Sequence, residues 1–170
     1  MNTLTEVEKA YLAGLIDGEG CIFISKYQGK NNANPVYSLR VIVAMTDEAL
    51  LVKWQKTTGV GVIHFKSNRS DINKKNCPAW QWIITVIADN RELLKAIYPY
   101  LEIKRDQADT ALEFTNVETT RCGRGVKVPK YITDQREYYR LKLMNQKTEG
   151  NRQHIEIKFP TGANAQGTLF

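Results

Sequence analysis

The sequence predicts an α+β domain in which helices alternate with pairs of strands, in the order α-ββ-α-ββ-α-α. Two observations support this class. Strand pairs of β-branched and aromatic residues occur twice, and a helical pattern follows each pair. The predicted strands also have one apolar face and one face with Ser, Arg, His, Lys and Gln, which is typical of an antiparallel sheet open on one side. The chain of 170 residues has no linker-like gap and suits one globular domain.

Local patterns define each element. Thr5 and Glu8 form a capping box, which predicts a first helix that runs to about Asp17 and ends at Gly18 and Gly20. The other helices are predicted from apolar residues at helical spacing, and the strands from alternating apolar and polar residues between polar loops. In order, these are strands 21–27 and 36–44, a helix capped by Thr46 or Asp47, strands 62–67 and 79–87, a helix capped by Asp89 or Asn90, and helices 104–119 and 134–145.

The fourth strand separates the two faces of the sheet most clearly. Trp80, Trp82, Ile84 and Val86 fall on one side, which we expect to be the core, and the residues between them fall on the other. A polar open face of this kind could read base edges in a major groove. The alternative is that these are ordinary solvent-facing residues, and the pattern alone favours that simpler interpretation.

The net charge of +6 is concentrated in one segment. Residues 121–147 carry eight basic and two acidic side chains, whereas basic and acidic residues balance in the rest of the chain. This excess suits a nucleic acid first and an anionic membrane surface second, and a solvated basic helix without a partner is the alternative. We expect one domain over residues 1–147, with a core at 5–119 and a basic loop and helix at 120–147, followed by an extended or disordered tail at 148–170.

Several classes of protein are not expected. The sequence has no run of eighteen apolar residues that would predict a membrane span, and its start lacks the basic and apolar regions of a signal peptide. The cysteines are three in number, widely separated and without a C-x-x-C spacing, which argues against a disulfide framework or a structural zinc site. An intracellular location follows as the expectation, with no distinction between an archaeal or bacterial cytoplasm and an organelle.

The end of the first helix has unusual chemistry. Asp17 and Glu19 lie at its C-terminus, where the helix dipole disfavours carboxylates. Gly14, in the middle of the helix, costs roughly 1 kcal/mol relative to Ala, so we expect another backbone to approach closely there. A small-residue face surrounds it, formed by Ala10, Ala13, Gly14 and Asp17. Either this face is buried within a monomer, or it packs against its own copy across a two-fold axis, where the converging carboxylates would need divalent cations.

Residues 11–20 read Tyr-Leu-Ala-Gly-Leu-Ile-Asp-Gly-Glu-Gly. This segment resembles the signature of the LAGLIDADG homing endonucleases at all but two positions, Gly18 and Glu19. The αββαββα order fits as well, and the resemblance covers about residues 5–119. It implies the αββαββα homing-endonuclease fold, with a concave antiparallel DNA-binding sheet and a C-terminal helical extension.

The resemblance also implies a catalytic centre. Glu19 corresponds to the essential metal-ligating carboxylate, the backbone carbonyl of Gly18 is a second ligand, and the metal is Mg²⁺ or Mn²⁺. Lys104 corresponds to the basic residue near the scissile phosphate. The polar residue that many relatives place before the second helix falls near Ala44 or Met45 here, so this sequence departs from the family there, and Thr46 or Asp47 are the candidate substitutes.

A single signature in a short chain resembles the homodimeric subgroup, which would place Ala10, Ala13, Gly14 and Asp17 at the dimer interface. The open sheet face would contact DNA, with Arg40 and Lys66 as candidates for guanine and Gln81 for adenine. The full set of expected base contacts is Ser25, Tyr27, Ser38, Arg40, His64, Lys66, Asn68 and Gln81, with Phe23, Ile42 and Ile83 on the same face. Flanking phosphates would be contacted by Arg121, Arg124, Lys127 and Lys130.

The function implied is that of an intron-encoded endonuclease that makes site-specific double-strand breaks in a long pseudo-palindromic DNA target. Its partners would be double-stranded DNA and a second copy of the chain, with no membrane and no small-molecule substrate. Two alternatives stay open. One is an RNA maturase that assists intron splicing, and the other is a DNA-binding regulator that keeps the fold without cutting.

Overall fold

A computed structural model describes residues 1–30, 34–66, 79–117, 126–147 and 158–160. The elements are α1 (Glu6–Glu19), β1 (Gly20–Tyr27), β2 (Val36–Met45), α2 (Glu48–Thr58), β3 (Val62–Lys66), β4 (Ala79–Ile84), α3 (Ile87–Ile97), a 3₁₀ turn (Tyr98–Tyr100), α4 (Arg105–Thr115) and α5 (Lys130–Gln146). This order confirms the predicted α+β class. Over the described ranges, no helix is both long and apolar enough to cross a bilayer.

The four strands form one antiparallel sheet in the order β1-β2-β4-β3. Val41, Val43, Trp82 and Ile84 are buried on the face that the helices cover. The side chains between them on β2 and β4 point to the opposite face and are only partly buried. The sheet therefore has the predicted dry face and open face.

Helix α1 begins at the predicted capping box. The Thr5 hydroxyl accepts the N–H of Glu8, and the Glu8 carboxylate accepts the N–H of Thr5 at 2.8 Å. Leu12 and Ile16 are fully buried in the core. The helix continues to Glu19, two residues beyond the predicted end, so its last turn contains the acidic residues of the signature.

The start of α3 differs from the prediction. Helix α3 begins at Ile87, with Val86 as the preceding residue, and not at a cap formed by Asp89 or Asn90. Asn90 is fully buried, and its side-chain amide donates to the carbonyls of Leu39 at 3.1 Å and Ile84 at 3.2 Å. A polar residue that resembles a cap in sequence is therefore used to join α3 to the sheet. Because β4 ends at Ile84, Val86 is exposed and the expectation that it lies in the core is wrong.

The remaining caps and helix ends differ from the prediction in detail. Of the two predicted caps for α2, Asp47 is the one used, since its carboxylate accepts the N–H of Leu50 at 3.0 Å. Helix α4 ends at Thr115, four residues earlier than predicted. Helix α5 begins at Lys130, four residues earlier than predicted.

Glu137 anchors α5 to the sheet. Its carboxylate accepts the Tyr37 hydroxyl at 2.8 Å, forms an ion pair with Lys26 at 3.2 Å, and forms a second pair with Arg140 at 2.7 Å. Burial opposes ionisation of Glu137, but the hydrogen bonds from Arg140, Tyr37 and Lys26 outweigh it and lower the pKa to about 2. Burial, together with the hydrogen bond to Glu137, raises the pKa of Tyr37. This network holds α5 beside β1, at the edge of the sheet.

Candidate nucleic-acid interface and metal site

The open face of the sheet brings together the described side chains for which base contacts are predicted. Antiparallel register places Ser25 opposite Ser38, and Gln81 opposite both His64 and Ala44. These positions alternate with the buried ones, as a two-residue period requires. The prediction of which residues in each strand face the open side is therefore confirmed for the described part of the chain.

Exposure along this face is uneven. Tyr27, His64 and Lys66 are exposed at its ends, whereas Arg40 and Gln81 are partly buried within it. The Nε atom of Arg40 is buried and has no hydrogen-bond partner among the described residues. Arginine and glutamine side chains in such positions have the donors and acceptors that base edges require.

Glu19 lies where α1 meets β1. Its side chain is exposed and has no hydrogen bond or ion pair with any described residue. Gly18 is exposed as well, and a side chain added there would meet nothing within 4 Å. The carbonyl groups of a last helical turn have no partner within the helix. The end of α1 therefore has an exposed carboxylate at Glu19 and a carbonyl at Gly18 that has no partner within the helix, and Mg²⁺ prefers oxygen ligands of both kinds.

Asp17 points in the other direction, toward the segment before α4. Its carboxylate accepts the backbone N–H groups of Glu102 at 2.8 Å, Ile103 at 3.3 Å and Lys104 at 2.9 Å. The Lys104 ammonium in turn donates to the backbone carbonyl of Asp17. Two segments that are far apart in sequence are thereby joined, and Lys104 is held at the same end of α1 as Glu19.

The outer face of α1 differs in part from the predicted interface. Ala10 and Gly14 are exposed, as that interface requires, and a Cβ at Gly14 would have open space. Ala13 is fully buried inside the chain, so its side chain packs in the core and is not available to a partner. Val7 is 80% exposed and Tyr11 51% exposed, which extends the accessible apolar surface along the helix. We call Val7, Ala10, Tyr11 and Gly14 the outer face of α1.

Two contacts that the sequence did not predict bring the C-terminal segment to the sheet. The Asn34 side chain donates to the carbonyl of Val126 at 2.7 Å and accepts the N–H of Val128 at 2.7 Å, which fixes the backbone around Lys127 beside the β1–β2 connection. At the end of α5, the Lys147 ammonium lies 3.0 Å from the Cys21 sulfur and 5.3 Å from the centre of the Phe23 ring. Lys147 thus reaches the open face, which no local pattern around it indicates.

Some predicted positions are outside the described residues, namely Asn68, Arg121 and Arg124. Lys127 and Lys130 are described and exposed. Of the two positions at which relatives would carry a polar residue before the second helix, Ala44 pairs with Gln81 across the sheet and Met45 pairs with Trp80. Of the two candidate substitutes, Asp47 uses its carboxylate to cap α2, and Thr46 is exposed. Across the described ranges, no three His, Cys, Asp or Glu side chains form a ready-made metal cluster.

A family model for the LAGLIDADG endonuclease matches residues 12–114, which is more than half of the chain. The chain belongs to the LAGLIDADG endonuclease family. The matched residues begin in the signature of α1 and end in α4, so they include Glu19 and Lys104 as well as all four strands. Membership confirms the resemblance found in the sequence. No match was found among curated proteins.

Solved structures that include homing endonucleases share this fold. One is the homing endonuclease I-CvuI in complex with the I-CreI target in the presence of Mg, which is 21% identical to this chain. The match covers 88% of this chain and 87% of I-CvuI, with a TM-score of 0.69. The archaeal intron-encoded homing endonuclease I-Vdi141I, complexed with DNA, is 12% identical; the match covers 91% of each chain, with a TM-score of 0.62. I-SmaMI, bound to uncleaved DNA with calcium ions, is 13% identical and has a TM-score of 0.62, and the match covers only 47% of that longer chain.

Proposed function

We propose that this LAGLIDADG protein is an intron-encoded homing endonuclease that makes metal-dependent double-strand breaks in a long pseudo-palindromic DNA target. The observation that carries the proposal is the arrangement at the end of α1. Glu19 is exposed there without a partner among the described residues, and Lys104 is held at the same end of the helix through Asp17. An isolated carboxylate and an ammonium group beside an open, polar sheet suit the cleavage of a phosphodiester.

The residues present fit a divalent metal. The Glu19 carboxylate and the Gly18 carbonyl would hold Mg²⁺ or Mn²⁺, both of which favour oxygen ligands. When bound, such an ion lowers the pKa of a coordinated water and stabilises the charge that develops on the phosphate oxygens. One chain supplies few ligands, so water, the DNA phosphate and a second subunit would complete the coordination.

Lys104 would act on the phosphate. The Asp17 carboxylate orders the backbone that carries Lys104, so the ammonium group is already placed before DNA binds. A preorganised positive charge stabilises the additional negative charge of the transition state without a cost of reorganisation at the moment of reaction. The negative charge of Glu19 would bind the metal, and the positive charge of Lys104 would balance the negative charge of the phosphate.

We infer a homodimer from the outer face of α1. This face exposes Val7 and Tyr11 and has a glycine at which another backbone could approach closely. A second copy of the chain packed there would place two Glu19 carboxylates near one axis, and each would serve one DNA strand. The pseudo-palindromic target follows from this two-fold symmetry.

Duplex DNA would lie against the open face. Arg40, Gln81 and His64 would read base edges. Lys127 and Lys130 would contact phosphates beside the β1–β2 connection, where Asn34 holds the basic segment, and Arg121 and Arg124 belong to the same proposal. Phosphate contacts add affinity and depend on salt, whereas base contacts supply the specificity.

The test uses a duplex that spans the intronless form of the host gene, because the intron insertion point is the expected recognition site. Wild-type protein with Mg²⁺ should cut both strands there. Glu19→Gln keeps the shape but removes the charge that holds the metal, so cutting should fall by several orders of magnitude while specific binding survives.

Glu102→Gln is the matched control, because it removes one exposed acidic charge near Lys104 and should cut like the wild type. Equal cutting by Glu19→Gln would refute the metal assignment. Specific binding without cutting by the wild type would identify a regulator, and stimulation of intron splicing without DNA cutting would identify a maturase.

A further inference from the structure

One row of paired residues on the open face is apolar on three of its four strands, and its member on β1 is Cys21. The register places Val62 opposite Ile83, and Ile83 opposite Ile42. All three side chains point to the open face and remain accessible, with Val62 50% exposed. We call these three residues the apolar row. It crosses three neighbouring strands, and adjacent strands in a sheet are about 4.8 Å apart.

A polar pair lies on one side of the apolar row, and Arg40, which pairs with Phe23, lies on the other. His64 and Gln81 face each other two residues away along β3 and β4, and Arg40 lies two residues away along β2. A separation of two residues in a strand is about 6.7 Å. The apolar row therefore lies within the region proposed to read base edges and cannot be treated as the rim of that surface.

The chemistry of the major groove allows one good partner for such a row. Most groups on the base edges there are hydrogen-bond donors or acceptors, and the C5-methyl group of thymine is the one alkyl group among them. A polar base edge pressed against Ile42 or Ile83 would lose water without gaining a hydrogen bond. A thymine methyl in the same place removes apolar surface from water on both sides.

We propose that the apolar row selects thymine, so that the base pairs covered by Val62, Ile83 and Ile42 in each half-site are T·A pairs with the methyl group facing the protein. This inference depends on the proposed function, in which the open face enters the major groove. It adds a feature of the target sequence, namely a thymine-containing step flanked by positions that Arg40 and the His64–Gln81 pair read through hydrogen bonds.

The experiment begins by selecting binding sites from a random duplex library with wild-type protein in Ca²⁺ and without a cleavage step. Each thymine of the selected site is then replaced singly by deoxyuridine, which removes only the methyl group. Affinity should fall about fourfold at the positions under the apolar row, as expected for one buried methyl group. It should stay unchanged at thymines elsewhere in the site.

Val62→Gln and Val86→Gln form a matched pair of variants. Both replace an exposed valine, 50% and 56% accessible respectively, but Val86 lies outside the sheet. Val62→Gln should change the preference at one base pair from thymine to adenine, because a glutamine amide pairs with the adenine edge. Val86→Gln should select the wild-type site.

The outcomes separate this inference from the proposed function. A selected site that has no thymine preference, or in which deoxyuridine is neutral at every position, would overturn the inference while leaving sequence-specific DNA binding intact. Failure to enrich any duplex would overturn the proposed function and the inference with it.

Discussion

Asp17 offers the sharpest test of how the site is assembled. Its carboxylate accepts three backbone N–H groups that precede α4, two of them at 2.8 and 2.9 Å. A hydrogen bond to a charged group contributes about 1.5–3 kcal/mol when it is made in the folded protein. Water can reach this segment, so we take the lower value and count only the two short bonds. Asp17→Ala should then lower the free energy of unfolding by about 3 kcal/mol, and Asp17→Asn, which keeps one acceptor oxygen, by about half of that.

Thermal unfolding followed by tryptophan fluorescence measures this effect. A loss of 1 kcal/mol lowers Tm by about 2–4 °C in a domain of this size, so Tm should fall by about 6–12 °C for Asp17→Ala and about 3–6 °C for Asp17→Asn. Glu102→Gln is the control, because it removes the same charge from the same region but leaves the backbone hydrogen bonds intact. If Asp17→Asn and Glu102→Gln unfolded at the same temperature, the carboxylate would not be what holds this segment. Cutting by Asp17→Asn should also slow at temperatures where the protein is folded, because Lys104 loses its support.

Three further predictions concern other parts of the molecule. Gly14→Leu fits the free chain, where a Cβ meets nothing within 4 Å, so it should give a folded monomer in sedimentation; a dimer as stable as the wild type would refute an interface on the outer face of α1. Lys147→Gln should weaken binding to specific and random duplexes alike and reduce the slope of log K against log salt by about 0.9 for each phosphate that the protein no longer neutralises. Lys142→Gln, on the same helix but paired with Glu113, should leave that slope unchanged, and equal effects of the two variants would argue against a role for Lys147 on the open face. The pKa of Glu137 is about 2 in the folded chain against 4.5 for an ordinary glutamate, so its stabilisation is present above pH 4.5 and is lost as the pH falls from there toward 2. Urea unfolding at pH 7 and pH 3 should therefore show a smaller acid-induced loss of stability for Glu137→Gln than for the wild type, and equal losses would contradict the ionised network.

Elements that depend on neighbouring residues could be predicted from the sequence. The capping box of α1 requires only Thr5 and Glu8, and the two-residue period of the strands requires only that one face be apolar. For the same reason the sequence predicts correctly which strand residues face the open side. The family signature is a continuous segment and could therefore be recognised directly.

The burial of Ala13 could not be predicted from the neighbouring residues. Ala13 and Gly14 are adjacent in a stretch of small residues, and composition does not distinguish them. The packing of α1 into the core buries Ala13 completely and leaves Gly14 exposed. Asn90 is a similar case, since the sequence pattern of a helix cap is the same whether the side chain caps its own helix or binds the carbonyls of Leu39 and Ile84.

The sequence by itself determined the order of the elements, the two faces of the sheet and the residues of the signature, because these depend on periodicity and on hydrogen bonds within a few positions. The tertiary structure decided which of those residues meet. Asp17 binds a segment 85 to 87 positions away, and Lys147 lies against Cys21, 126 positions away. Contacts at such separations depend on how helices pack over the edge of a sheet, and that packing is a property of the whole core, which no local segment encodes.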